Sequence, residues 1–115
     1  MKLYCDRNNR VILENIIIAR DFFTRFRGLM LKKNLSGSEG MLLTPCNGIH
    51  TLFMRFPIDV VFLDSEYTVI KIIPDMKPNR FSPFVKGASH VLEIAANSSE
   101  THDIKEGDRL SIVNS

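Results

Sequence analysis

Apolar residues in this chain recur mostly in short runs broken by polar clusters, the pattern of strands joined by tight turns. Leu3 to Cys5 and Arg10 to Ile18 flank Asp6-Arg7-Asn8-Asn9, which predicts a hairpin with Asn and Asp supplying the turn. The period then changes. Phe22, Phe26, Leu29 and Met30 recur at helical spacing behind Asp21, which predicts a short helix of about two turns capped by that aspartate and weakened at its end by Gly28. Ser36 to Gly40 reads as a loop, and Met41-Leu42-Leu43 as a short strand stopped by Pro45.

From Ile49 the chain is expected to extend again, with Pro57 at a strand start, an edge or a bulge. Asp59 to Leu63 and Thr68 to Ile73, separated by Asp64-Ser65-Glu66-Tyr67, form the strongest hairpin signal, which Pro74 should end. Asp75 to Ala88 holds Pro78, Pro83 and two exposed-looking aromatics, Phe81 and Phe84, and reads as an unusually long loop able to dock a partner or cover a site. Ser89 to Ala95 resumes as strand. A polar break at Asn97 to Glu100 leads to one helical turn near Thr101 to Ile104. Glu106-Gly107-Asp108 then turns the chain into a last strand, Arg109 to Val113. About seven short strands with one short helix define an all-β domain, a compact β-sandwich or small barrel.

The 115 residues fit a single domain. With 44% apolar residues and eight Phe, a core can form without metal or disulfide staples. Fifteen basic and 13 acidic side chains are mixed along the sequence without a basic stripe, which argues against nucleic acid as a partner. The polar start Met1 to Arg10 lacks the apolar run of a signal peptide, and Ile16-Ile17-Ile18 is too short to span a bilayer. A soluble, cytoplasmic protein with no membrane partner is therefore expected, with Cys5 and Cys46 reduced.

Chemistry-bearing residues concentrate between Cys46 and Asp64. Cys46 and His50 are four apart, but Gly48 argues against a shared helix face. With His90 and His102 scattered, no metal site and no cofactor is expected. Cys46 and His50 could form a nucleophile and base oriented by Asp59 or Glu93, as in a small hydrolase or transferase. The alternative is a small buried cysteine beside a strand histidine. On an extended chain Thr51, Phe53 and Arg55 would share one face, and Asp59 would need an arginine, Arg27 or Arg55, if buried among Ile58, Val60 and Val61. Glu93 is either a solvated strand residue or a buried acid facing those arginines. Together, Arg27, Cys46, His50, Arg55, Asp59 and Glu93, with Lys86 nearby, make a candidate notch for a small anionic ligand.

The ordered motifs Arg27-Gly28-Leu29-Met30, Glu39-Gly40-Met41-Leu42-Leu43, Cys46 to Asp64, Val91-Leu92-Glu93-Ile94-Ala95 and Gly107-Asp108-Arg109-Leu110 resemble the prokaryotic family known as domain of unknown function 192. Many relatives carry Phe-Trp-Met-Lys-Asn-Thr where this chain has Leu52 to Pro57, so it resembles a subgroup with Cys and His. The resemblance implies a β-sandwich or barrel and brings no established activity or catalytic residue. The expectation is thus a small non-catalytic ligand-binding or accessory module.

Overall fold

The computed structural model describes residues 1–21, 24–25, 29 and 32–113. Its strands are β1 (Lys2–Cys5), β2 (Arg10–Leu13), β3 (Asn15–Ala19), β4 (Glu39–Leu43), β5 (Ile58–Leu63), β6 (Val69–Met76), β7 (His90–Ala95) and β8 (Leu110–Val113), with a short helix α1 (Ser98–Thr101) before the last. They form a three-stranded sheet in the order β2-β1-β8 and a five-stranded sheet in the order β3-β4-β7-β5-β6. All pairings are antiparallel except β3 with β4. The architecture is the two-sheet β fold expected from the turn spacing.

Two apolar clusters explain the layering. Leu3, Leu13 and Leu110 of the small sheet meet Leu42, Val61, Leu63, Leu92 and Ile94 of the large one. On the opposite face of the large sheet, Met41, Leu43, Val60, Phe62 and Val91 pack with Leu29, Ile49, Met54 and Met76. The large sheet is therefore buried on both faces. That is why every residue of β5 is buried and why its sequence reads as continuous rather than alternating apolar.

The run from Arg10 to Ile18 is two strands, not one. Exposed Glu14 and Asn15 interrupt the alternation, and both backbone amides donate to the Ser38 carbonyl, at 2.9 and 3.1 Å. β2 thus belongs to the small sheet and β3 to the large one. Pro74 does not end the second hairpin either. β6 is an edge strand, where a missing N–H is tolerated, and it continues to Met76 through a bulge that sets Pro74 and Asp75 opposite the single residue Asp59. Near the N-terminal side of the helix forecast for 21–30, the Asp21 carboxylate accepts the Thr24 amide at 2.8 Å, and Thr24 and Arg25 are helical. Phe22, Phe26, Gly28 and Met30 lie outside the described residues. The second forecast turn sits at Ser98–Thr101, slightly earlier than its expected place.

The Ile16 amide donates to the Met1 carbonyl at 3.2 Å across the two sheets, which also meet at another corner. Thr68 and Arg109 form an isolated bridge between the start of β6 and the start of β8. Arg7, in the β1–β2 turn, clasps the buried Asp108 through Nε and Nη2 at 2.8 and 3.2 Å, and this guanidinium holds the Asp108 carboxyl below the usual range. Among the described residues, no helix is long and apolar enough to cross a membrane.

Candidate functional site

The large sheet's second face is covered partly by an annex that is not regular strand. Residues 46–54 run antiparallel to 79–89, held by backbone bonds from the Cys46 amide to the Ser89 carbonyl (2.9 Å), from Val85 to Asn47 (2.8 Å), from Ser82 to Ile49 (2.9 Å) and from Thr51 to Arg80 (2.8 Å). Only His50 and Phe81 qualify as a bridge pair. Proline at 57, 78 and 83 removes the donors that a continuous ladder would need, so side chains complete the bonding. The Ser82 hydroxyl accepts the Ile49 amide at 2.9 Å, and Asn79 Oδ1 accepts the Phe53 amide at 2.9 Å.

Thr51 is the hub of this arrangement. Its side chain is fully buried, its Oγ1 donates to the Lys77 carbonyl at 2.6 Å, and the same oxygen accepts the Arg80 amide at 3.0 Å. The long loop is therefore fastened along much of its length. An extended reading had placed Thr51, Phe53 and Arg55 on one face. Instead the chain turns at Leu52-Phe53, with Phe53 at φ 61°, so Thr51 is buried while Phe53 is 73% exposed. Sequence reasoning passed over Thr51 as a positioning residue. Its signal was a hydroxyl inside an apolar run, facing a proline-rich loop poor in backbone donors.

Two of the described notch residues, Asp59 and Glu93, lie on opposite faces of the large sheet. Val61 and Leu63 belong to the inter-sheet cluster, whereas Ile58, Val60 and Phe62 belong to the opposite one, so alternation places Asp59 on the inter-sheet face. On β7, Leu92 and Ile94 face the inter-sheet cluster and Val91 the other, which turns Glu93 away from Asp59. Asp59 is fully buried, and among the described residues its partners are amides and a hydroxyl rather than an arginine. Oδ1 accepts from the amides of Asp75 (2.8 Å) and Asn97 (3.1 Å), and Oδ2 from the Ser99 amide (2.9 Å) and hydroxyl (2.5 Å). Arg55 is exposed, as is Lys86, and Arg27 lies outside the described residues.

Glu93 is buried rather than solvated, while Arg27, one of the arginines it is expected to face, lies outside the described residues. The acid is 2% exposed and lies opposite Met41 on β4 and Val60 on β5. Among the described residues its Oε1 has no hydrogen-bond partner, and burial pushes its carboxyl up to about 8. Cys46 is half-buried, and its Sγ donates to the Gly48 carbonyl at 3.1 Å. Burial foremost pushes the thiol up, against the opposing backbone hydrogen bond at Gly48; the Glu93 charge adds to the rise and Arg25 opposes it more weakly. His50 Nδ1 accepts the Leu52 amide at 3.2 Å, so the ring proton sits on Nε2 in this neutral form and that nitrogen cannot accept one from a thiol. An open cleft of about 280 Å³ beside Cys46 is lined by Pro45, Asn47, Ala88 and Ser89 as well. In native buffer near pH 8, Cys46 should react with a maleimide more slowly than a free cysteine does, with Cys46→Ala giving the background. Rapid labelling would restore the activated-thiol reading.

These features define a small two-sheet β protein with one buried acid on each face of its large sheet. The chain belongs to the domain of unknown function 192 family, described as an uncharacterized ACR, whose model matches residues 5–112. It is similar to a UPF0127 protein of Thermococcus kodakarensis, 36% identical over 98 residues that cover 82% of this chain and 62% of that one. A UPF0127 protein of Pyrococcus furiosus is 36% identical over 95 residues, covering 80% of this chain and 81% of its own length. The chain therefore spans less than two thirds of the Thermococcus kodakarensis relative.

A solved protein of unknown function from Novosphingobium aromaticivorans superposes with TM-score 0.83 at 22% identity, covering 96% of this chain and 82% of that one. A Sinorhizobium meliloti protein, described provisionally as a transcription regulator, gives TM-score 0.83 at 24% identity, with coverage of 96% and 89%. At these identities the likeness establishes the fold alone. Neither the family description nor the names of the UPF0127 relatives attach an activity to this fold.

Proposed function

We propose that this chain is a small non-catalytic binding module, a single cytoplasmic domain whose working face is the annex formed by 46–57 and 76–89. One observation carries the reading. Phe53, Phe81 and Phe84 are 73%, 71% and 86% exposed, yet they sit on backbone fixed by the bonds around Thr51, Ile49 and Asn47. Large apolar side chains in a floppy loop would carry little meaning. Held on a fixed scaffold, they form a pre-ordered contact surface and lower the entropy cost of association.

The rival reading, a hydrolase or transferase using Cys46 and His50, needs a thiolate beside a proton acceptor. The raised thiol and the Nδ1 bond to Leu52 both weigh against it. A tagged copy expressed in the native host distinguishes the two. Proteins that co-purify with the wild-type chain should be lost from a Phe81→Ser/Phe84→Ser variant of unchanged melting temperature and kept by Cys46→Ala. The reverse pattern would favour the cysteine.

A further inference from the structure

The charge around these phenylalanines points to the chemistry of the partner. Each exposed ring has a cation within two residues: Arg55 beside Phe53, Arg80 beside Phe81 and Lys86 beside Phe84. All three cations are exposed. Segments 46–57 and 76–89 also hold Lys77, but none of the chain's 13 acidic residues. The nearest acid in sequence, Asp75, is engaged by Lys77 Nζ at 2.6 Å. Glu93 lies beneath the annex rather than on it, fully buried. The exposed phenylalanines among the described residues thus sit on two segments whose charged side chains are all cationic.

We infer, on the reading of the annex as the working face, that its partner is an acidic protein segment presenting apolar side chains to the phenylalanines and carboxylates to Arg55, Arg80 and Lys86. Aromatic residues and arginine dominate the energetics of protein interfaces, and complementary charge sets orientation and partner choice. Two other polyanions fit less well. A nucleic acid draws most of its affinity from many phosphate contacts, and among the described residues the annex offers three cations without an ion pair to an acid. A lipid surface requires no fixed spacing between inserted rings, whereas here the spacing is fixed by Thr51, Asn79 and Ser82.

The test is a selection of phage-displayed random peptides against the immobilised protein, after depletion on bare support. Selected peptides should be rich in Asp and Glu interspersed with apolar residues. Their affinity should fall by about tenfold for Arg80→Glu/Lys86→Glu and for Phe81→Ser/Phe84→Ser, and it should weaken as ionic strength rises. Peptides of neutral composition that depend on the phenylalanines but ignore the charge reversal would overturn the acidic partner and leave the binding face standing. Peptides indifferent to both variants, or no enrichment at all, would overturn both. Binding of oligothymidylate, or of phosphatidylglycerol vesicles, that is tighter than peptide binding and lost in the Phe81→Ser/Phe84→Ser variant would replace the protein partner with that polyanion. Circular dichroism of each variant establishes that it is folded before binding is scored.

Discussion

Glu93→Gln should erase a loss of stability of about 4–5 kcal/mol that the wild-type protein suffers between about pH 4.5 and pH 8. The carboxyl has an ordinary value of 4.5 and is raised to about 8 in the fold by burial. Between those values the unfolded chain has released the proton and the folded chain still holds it. Folding therefore takes up a proton, and stability falls as pH rises, by roughly 1.4 kcal/mol per pH unit. Below 4.5 both states are protonated and the two proteins should unfold alike. Above 8 the neutral amide no longer carries the penalty, and the variant should be the more stable by the full difference. Against a typical domain stability of about 5–15 kcal/mol this is a large effect. Urea unfolding of both proteins across this range checks it, since shifts at Asp108 and His90 are common to the two and cancel. Parallel profiles would mean that Glu93 is solvated or paired in the fold.

That acid also shows why the site was harder to read than the sheets. Strand positions follow from local pattern: β5, β7 and β8 lie within a residue or so of where their apolar runs put them, because turn chemistry at Asp64–Tyr67 and Glu106–Asp108 acts over a few residues. Which face of a buried strand a charged residue occupies depends on what covers that face. Asp59 and Glu93 both sit in apolar runs. Only the packing of the small sheet on one side and the annex on the other separates them. The segment from Ile49 to Phe56 departs from the extended form its sequence suggests for a related reason. Its composition suits a strand, but the partner that would have paired with it contains Pro78 and Pro83, so the chain turns at Leu52-Phe53 and bonds through Thr51 and Asn79. The exposed Phe81 and Phe84, by contrast, were legible in the sequence, since they lie in a proline-flanked stretch with no alternation to bury them.

Asp59→Ala should cost about 3–5 kcal/mol, and by a mechanism different from a broken ion pair. The Asp59 carboxylate collects three backbone amides and one hydroxyl from two separate elements: the Pro74–Asp75 bulge at the end of β6, and the Asn97–Ser99 entry to α1. A first-turn amide of α1 at Ser99 is thus satisfied from a distant strand, while Asn97 makes no side-chain cap of its own. Each donor stranded in a buried setting costs roughly 1–3 kcal/mol, and the losses are not fully additive because the donors share one acceptor group. Arg55→Ala, at an exposed position, should change stability by no more than about 0.5 kcal/mol. Urea titrations of the two variants separate the readings. Comparable losses would restore an Arg55–Asp59 pair, whereas a large loss for Asp59→Ala alone supports the amide cage. The cage also fixes Asp75, one residue before the chain leaves β6 for the annex. Asp59→Ala should therefore make the 77–88 segment cleavable by trypsin at Lys77, Arg80 or Lys86 under conditions that leave the wild-type protein intact. Resistance equal to the wild type would show that Thr51, rather than Asp59, sets the position of Phe81 and Phe84.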